Sequence, residues 1–160
     1  MAWYQWYFHT ERGKAGLEQK RRAICRLLWE LWSPNWKFSD SEFDETAVSF
    51  ENPDFVEIVI HSYQHRHEAA PGDPELEQIE RRLVGQPQIS VPAIVLHGDG
   101  DGVHPPGRSE GQEKLFSAYY ERRLIPNAGH LFPREAPDVV ANAVRDLVDG
   151  AGATGQRSSF

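Results

Sequence analysis

Apolar positions in the first half of the chain recur at helical spacing. Leu17, Ile24, Leu27, Leu28 and Leu31 fall on one stripe, and Ser33-Pro34 ends that predicted helix. Ser39 followed three residues later by Glu42 reads as a capping box, opening a helix with Phe43, Ala47 and Phe50 on its face. Asn52-Pro53 opens a third helix, on which Phe55, Ile58, Val59 and Ser62 share a side. Asp73-Pro74 opens a fourth, with Leu76, Ile79 and Leu83 inward and Gly85 as its stop. No strand pattern interrupts this series.

The second half alternates. Val91 to Leu96 is a short apolar run, the pattern of a strand buried on both faces, and it leads into His97-Gly98. A loop rich in Gly, Asp and Pro follows, then a helix around Leu115 and Phe116. Glu121 to Ile125 reads as a second strand and Pro126 to Gly129 as a turn. Val139, Val140, Ala143, Val144, Leu147 and Val148 make a closing amphipathic helix. Strand, helix, strand, helix implies a parallel α/β sheet, and such sheets are rarely built from two strands alone. The β part is therefore incomplete. The pattern divides the chain into a helical segment, residues 1–86, an α/β segment, residues 87–149, and a small, polar, disordered tail, residues 150–160.

Composition narrows the function classes. The chain has 160 residues with 39% hydrophobic side chains, the texture of a soluble globular protein. A net charge of -7 argues against a nucleic-acid partner, since nothing here neutralises a run of phosphates. No apolar run approaches the ~20 residues that cross a bilayer. The single cysteine, Cys25, leaves no disulfide framework or cysteine–zinc cluster, so a cytoplasmic location is expected. His61 and His65 lie one helical turn apart with His67 close by, but no carboxylate completes a set, and neither metal nor cofactor is expected.

Two loops carry the candidate chemistry, each after a predicted parallel strand, where open α/β sheets place their sites. Residues 97–106 read HGDGDGVHPP and residues 127–137 read NAGHLFPREAP. An acid after one strand and a histidine after the next is what a hydrolytic triad requires: the carboxylate fixes the imidazole tautomer, and the imidazole moves the proton.

With these motifs in this order the chain resembles the α/β-hydrolase superfamily, especially its capped members akin to epoxide hydrolases and haloalkane dehalogenases. The acid loop of that family, H-G-x-x-D followed by V-x-P, matches His97 to Asp101 and Val103 to Pro105. Its histidine loop matches Gly129-His130 with Glu135 and Pro137. The resemblance implies that Asp101, not Asp99, is the catalytic acid and His130 the general base. It also implies a partial α/β-hydrolase fold, with a helical cap followed by the last two parallel strands and their helices. In such caps tyrosines bind the substrate, which singles out Tyr63, in HSYQHRH, and Tyr4. His97 and His104 are expected in structural or surface roles.

The triad's nucleophile is missing. Ser33, Ser39, Ser41, Ser49 and Ser62 lie in helical or cap-like segments without the glycines of an elbow, and no oxyanion loop is present. Gly107-Arg108-Ser109-Glu110-Gly111 satisfies G-x-S-x-G literally, but it follows the acid and Pro105-Pro106 instead of a buried strand. Ser109 is expected to cap the helix behind the acid loop. The chain alone is thus expected to be inactive. In full-length form it would hydrolyse an ester if the nucleophile is Ser, or an epoxide or carbon–halogen bond if it is Asp, in a small apolar substrate. The alternative is a non-catalytic fragment whose exposed sheet edge binds a partner chain.

Overall fold

The computed structural model describes residues 2–155, which form two compact units. The first comprises the chain up to Leu31 together with Lys37–Val84; the second comprises Trp32–Trp36 and the chain from Gly85 onward. The boundary near residue 85 lies where the pattern changes, but the short segment after the long helix belongs with the α/β unit.

The first unit is helical. It contains α1 (Trp3–Tyr7), α2 (Glu11–Trp32, whose last residue passes into the second unit), α3 (Asp40–Ala47), α4 (Phe55–Arg66) and α5 (Glu77–Val84). Its core is built from Tyr4, Phe8, Leu17, Leu28, Trp29, Phe43, Phe50, Val56 and Ile60. The capping box at Ser39 forms as expected: Ser39 Oγ accepts from Glu42 N while Glu42 Oε2 accepts from Ser39 N at 2.8 Å. Phe43, Ala47 and Phe50 are buried behind it.

Several predicted faces differ. Leu17 and Leu28 of the predicted α2 stripe are buried, but Leu27 and Leu31 are exposed and Trp29 is buried beside Leu28; the helix is also kinked at Lys20 (φ -139, ψ 32). In α4 the buried pair is Val56 and Ile60, and Ile58 points outward. That helix carries apolar residues on most sides, so spacing alone does not select a face. Asn52 does not cap α4, which begins at Phe55; its Oδ1 accepts from Asp54 N at 2.9 Å in the turn before the helix. Leu76, in the 3-10 turn Pro74–Leu76, and Ile79 and Leu83 on α5 are exposed rather than inward. The stop at Gly85 holds, although Gln86 (φ 45) takes the left-handed turn.

The second unit holds two parallel strands, β1 (Ala93–Gly98) and β2 (Tyr120–Ile125), with Ala93 opposite Tyr120 and Gly98 opposite Ile125. This register ends both strands side by side, so the loops that follow emerge together. Residues Ala93–Leu96 are only half-buried, not covered on both faces, because β1 pairs on one side alone among the described residues. β2 is charged: Arg123 binds both oxygens of Glu121 at 2.7 Å and Asp146 at 2.7 Å. Charges on an edge strand discourage further pairing there. The helix expected around Leu115 is replaced by 3-10 turns at Pro106–Ser109 and Gln112–Leu115. Pro105, Pro106 and the left-handed Gly111 (φ 70) leave too little uninterrupted chain for an α-helix.

A short helix, α6 (Phe132–Glu135), precedes α7 (Pro137–Gly155). Ala143 is buried, whereas Val144 and Val148 of the predicted face are exposed. α7 runs into the stretch expected to be a disordered tail; residues 156–160 of that expectation lie outside the described residues.

Candidate active site

Gly98 ends β1, and a Cβ there would collide with the carbonyl oxygen of Ala128. Only glycine permits that approach, and it brings the acid loop against the histidine loop. Two further bonds link them: Gly100 N donates to Ala128 O at 2.9 Å, and Asn127 N donates to Asp99 Oδ1 at 2.6 Å. Asp99 thus joins the loops and faces no histidine.

Asp101 and His130 meet. His130 Nδ1 lies 2.9 Å from Asp101 Oδ2. Asp101 Oδ1 accepts from Val103 N at 2.7 Å and His104 N at 2.9 Å, so the carboxylate is held at both oxygens. Burial of this carboxyl opposes its charge, yet the hydrogen bonds from His130 and the two backbone amides outweigh it and hold its pKa below the usual carboxylate range. A carboxylate at Nδ1 selects the tautomer protonated there and leaves Nε2 as the basic nitrogen. Among the described residues none hydrogen-bonds Nε2. The rings of Trp32 and His104 stand edge-on to His130 at 5.7 and 5.8 Å.

Behind the pair lies a second polar network. His97 is buried, with Nε2 at 3.0 Å from His104 O and Nδ1 at 2.8 Å from Ser109 Oγ. Ser109 Oγ also accepts from Arg122 Nε at 2.8 Å and lies 3.1 Å from Pro106 O. Ser109 is only 4% exposed and ends a 3-10 turn, so it neither caps a helix nor presents a hydroxyl as an elbow does. The structural role expected of His97 agrees with this network, and His104 is exposed.

Tyr4 and Tyr63 come together within the helical unit, their rings edge-on at 5.7 Å beside Phe8. Burial, with Tyr4 alongside, pushes the Tyr63 hydroxyl up to about 12, so it stays protonated. Burial likewise pushes the Cys25 thiol up to about 11, which makes it a poor nucleophile. The three histidines near Tyr63 do not converge. His61 bonds Pro71 O, His65 bonds Ala70 O and Glu80, and His67 bonds His9. Among the described residues no group of three or more His, Cys, Asp or Glu side chains is arranged to hold a metal ion, and no helix is long and apolar enough to cross a membrane.

One site residue was not apparent from spacing. Ser33, expected only to terminate a helix, is fully buried against the histidine loop, and Glu135 bonds it at 2.7 Å. Its one sequence signal is the Ser-Pro after a helix.

No family model matches the chain, and no curated protein matches it. A solved structure does. The chain is similar to a "putative epoxide hydrolase" from Klebsiella pneumoniae subsp. pneumoniae MGH 78578, with 38% identity and a TM-score of 0.86 over 91% of this chain. The fold described here is thus epoxide-hydrolase-like. The chain spans about half of that protein, 48% of its length.

Proposed function

We propose that this chain supplies the acid–base half of an α/β-hydrolase of the capped, epoxide-hydrolase-like kind. The observation that carries the reading is the 2.9 Å bond between His130 Nδ1 and a carboxylate already held by two backbone amides. Likeness to the Klebsiella protein supports it. In this reading a nucleophile outside these 160 residues attacks an ester, epoxide or carbon–halogen carbon and forms a covalent ester as the carbon–oxygen or carbon–halogen bond breaks and the alcohol, the opened ring oxygen or the halide takes the electron pair. His130 Nε2 then takes a proton from water, the hydroxide attacks the ester, and Asp101 stabilises the imidazolium until the proton is passed on. Residues 1–86 act as the cap, and the hydroxyls of Tyr63 and Tyr4 are its donors to the substrate. The reaction needs no cofactor or metal.

The test uses this chain alone and co-expressed with the remaining half of the Klebsiella protein, assayed on styrene-type epoxides and aryl esters. The chain alone should show no turnover above background. The combination should turn over, and both His130→Ala and Asp101→Asn should abolish it. Turnover by the chain alone that disappears in Ser109→Ala would overturn the reading.

A second reading, a non-catalytic fragment whose sheet is completed by another chain, is favoured by one observation: the half-buried apolar β1 with a free edge. Size-exclusion chromatography separates the two, since a monodisperse monomer counts against dependence on a partner.

A further inference from the structure

The His130 backbone is fastened at three consecutive amides, each to a different atom. Gly129 N donates to Glu135 Oε2 at 2.8 Å, His130 N to Trp32 O at 3.0 Å, and Leu131 N to Ser33 Oγ at 3.0 Å. Ser33 Oγ in turn donates to Glu135 Oε1 at 2.7 Å, which closes the ring of contacts. A Cβ on Gly129 would collide with Ser33, so the loop lies directly on this residue.

Trp32 O is shared with the other loop. It also accepts from Gly102 N, the residue after Asp101, at 3.0 Å. Trp32 is the last residue of α2, where carbonyls have no intrahelical donor and are open to such use. One oxygen therefore fixes the backbone beside the acid and the backbone of the base together. The Asp101–His130 bond therefore joins two backbones that are already tied to one oxygen.

We infer that Ser33 and Glu135, working with the Trp32 carbonyl, are positioning residues that hold His130 in the tautomer and orientation which Asp101 accepts. This inference rests on the acid–base reading above and adds two residues to it. Neither touches the reacting atoms. Glu135 is needed as a two-oxygen acceptor, one oxygen for a backbone amide and one for a hydroxyl. Glutamine can still meet both partners, with its oxygen toward Gly129 N and its amide toward Ser33 Oγ. Alanine can meet neither and leaves the Gly129 amide and the Ser33 hydroxyl unpaired, which frees the loop to move.

The measurement is ring nitrogen NMR of His130 in the full chain, at a pH high enough that the ring is neutral, with folding followed by circular dichroism. Wild type should show Nδ1 protonated and Nε2 bare. Asp101→Asn should lose that preference. Ser33→Ala and Glu135→Ala should shift His130 to a mixture of tautomers while remaining folded, and Glu135→Gln should restore the wild-type pattern. If Ser33→Ala and Glu135→Ala fold and keep the wild-type pattern, the positioning role is wrong and the Asp101–His130 pairing stands. Loss of fold in both also counts against a dedicated role. If wild type itself lacks the Nδ1-protonated form, the pairing fails and this inference falls with it.

Discussion

The helical unit and the unit that carries Asp101 and His130 are stabilised by different means. The helical unit buries large rings against one another. Phe43 is 1% exposed and has Trp29 edge-on at 5.3 Å and Phe50 at 6.0 Å, while the Arg26 guanidinium sits over both Phe38 and Phe43 at 5.3 Å. Burying one such ring is worth about 1.5–3 kcal/mol, and it is non-directional. The second unit has few buried apolar side chains, Ile125, Ala128 and Ala143, and buries Ser33, His97 and Ser109 in their place. Its order comes from directional bonds. A core of rings tolerates small displacements, whereas a network of hydroxyl, imidazole and amide partners holds one geometry or loses its bonds. Holding a carboxylate of one loop against an imidazole of another needs the second kind of construction.

The largest way to break this contrast is to remove a ring. Phe43→Ala should cost about 3–5 kcal/mol, read as a lower denaturation midpoint. In native-state hydrogen exchange, the α2 and α3 amides near Phe43 should lose protection, and they should be better protected than β1 and β2 in the wild type.

Next comes the polar network. Ser109→Ala removes the acceptor of Arg122 Nε and the partner of His97 Nδ1 and should cost about 1–3 kcal/mol, more than its lost volume explains. Ser109→Cys, nearly the same size but a weak acceptor, should recover little of it. Full recovery would show that packing, not bonding, holds this unit.

Removing the Ser39 hydroxyl isolates a local term. Ser39→Ala should cost about 1 kcal/mol through the capping box, with the second unit's signals unmoved.

The pH response sharpens the comparison further. The Asp101 carboxyl lies below its ordinary value when folded, so its stabilising contribution is complete above about pH 4. It is lost as pH falls through the lowered value. Asp101→Asn should flatten that part of the acid unfolding profile. An unchanged profile would mean that the pair contributes nothing to stability.

The smallest effect is expected where apolar residues are already in water. Leu83→Glu or Ile79→Glu on α5 should change stability by no more than about 0.5 kcal/mol, measured by denaturant unfolding. A larger loss would show that this face is covered in solution.

Much of this architecture was legible in the order of residues. Ser39 and Glu42 are three apart, so their cap is closed by local geometry and needs no partner from elsewhere. The left-handed turn at Asn127 and the two short strands, though not the pairing of those strands, were likewise legible in local pattern. Those features depend on chain stereochemistry and short-range spacing. Which side of α4 is buried, where α2 breaks, and that Leu76, Ile79 and Leu83 stay exposed depend on what packs against each helix, and periodicity names a face without naming its neighbour. Ser33 shows the limit most clearly. It stands 102 residues from Glu135 and 98 from Leu131, and only a folded chain could bring a helix-ending serine under the loop that holds the histidine.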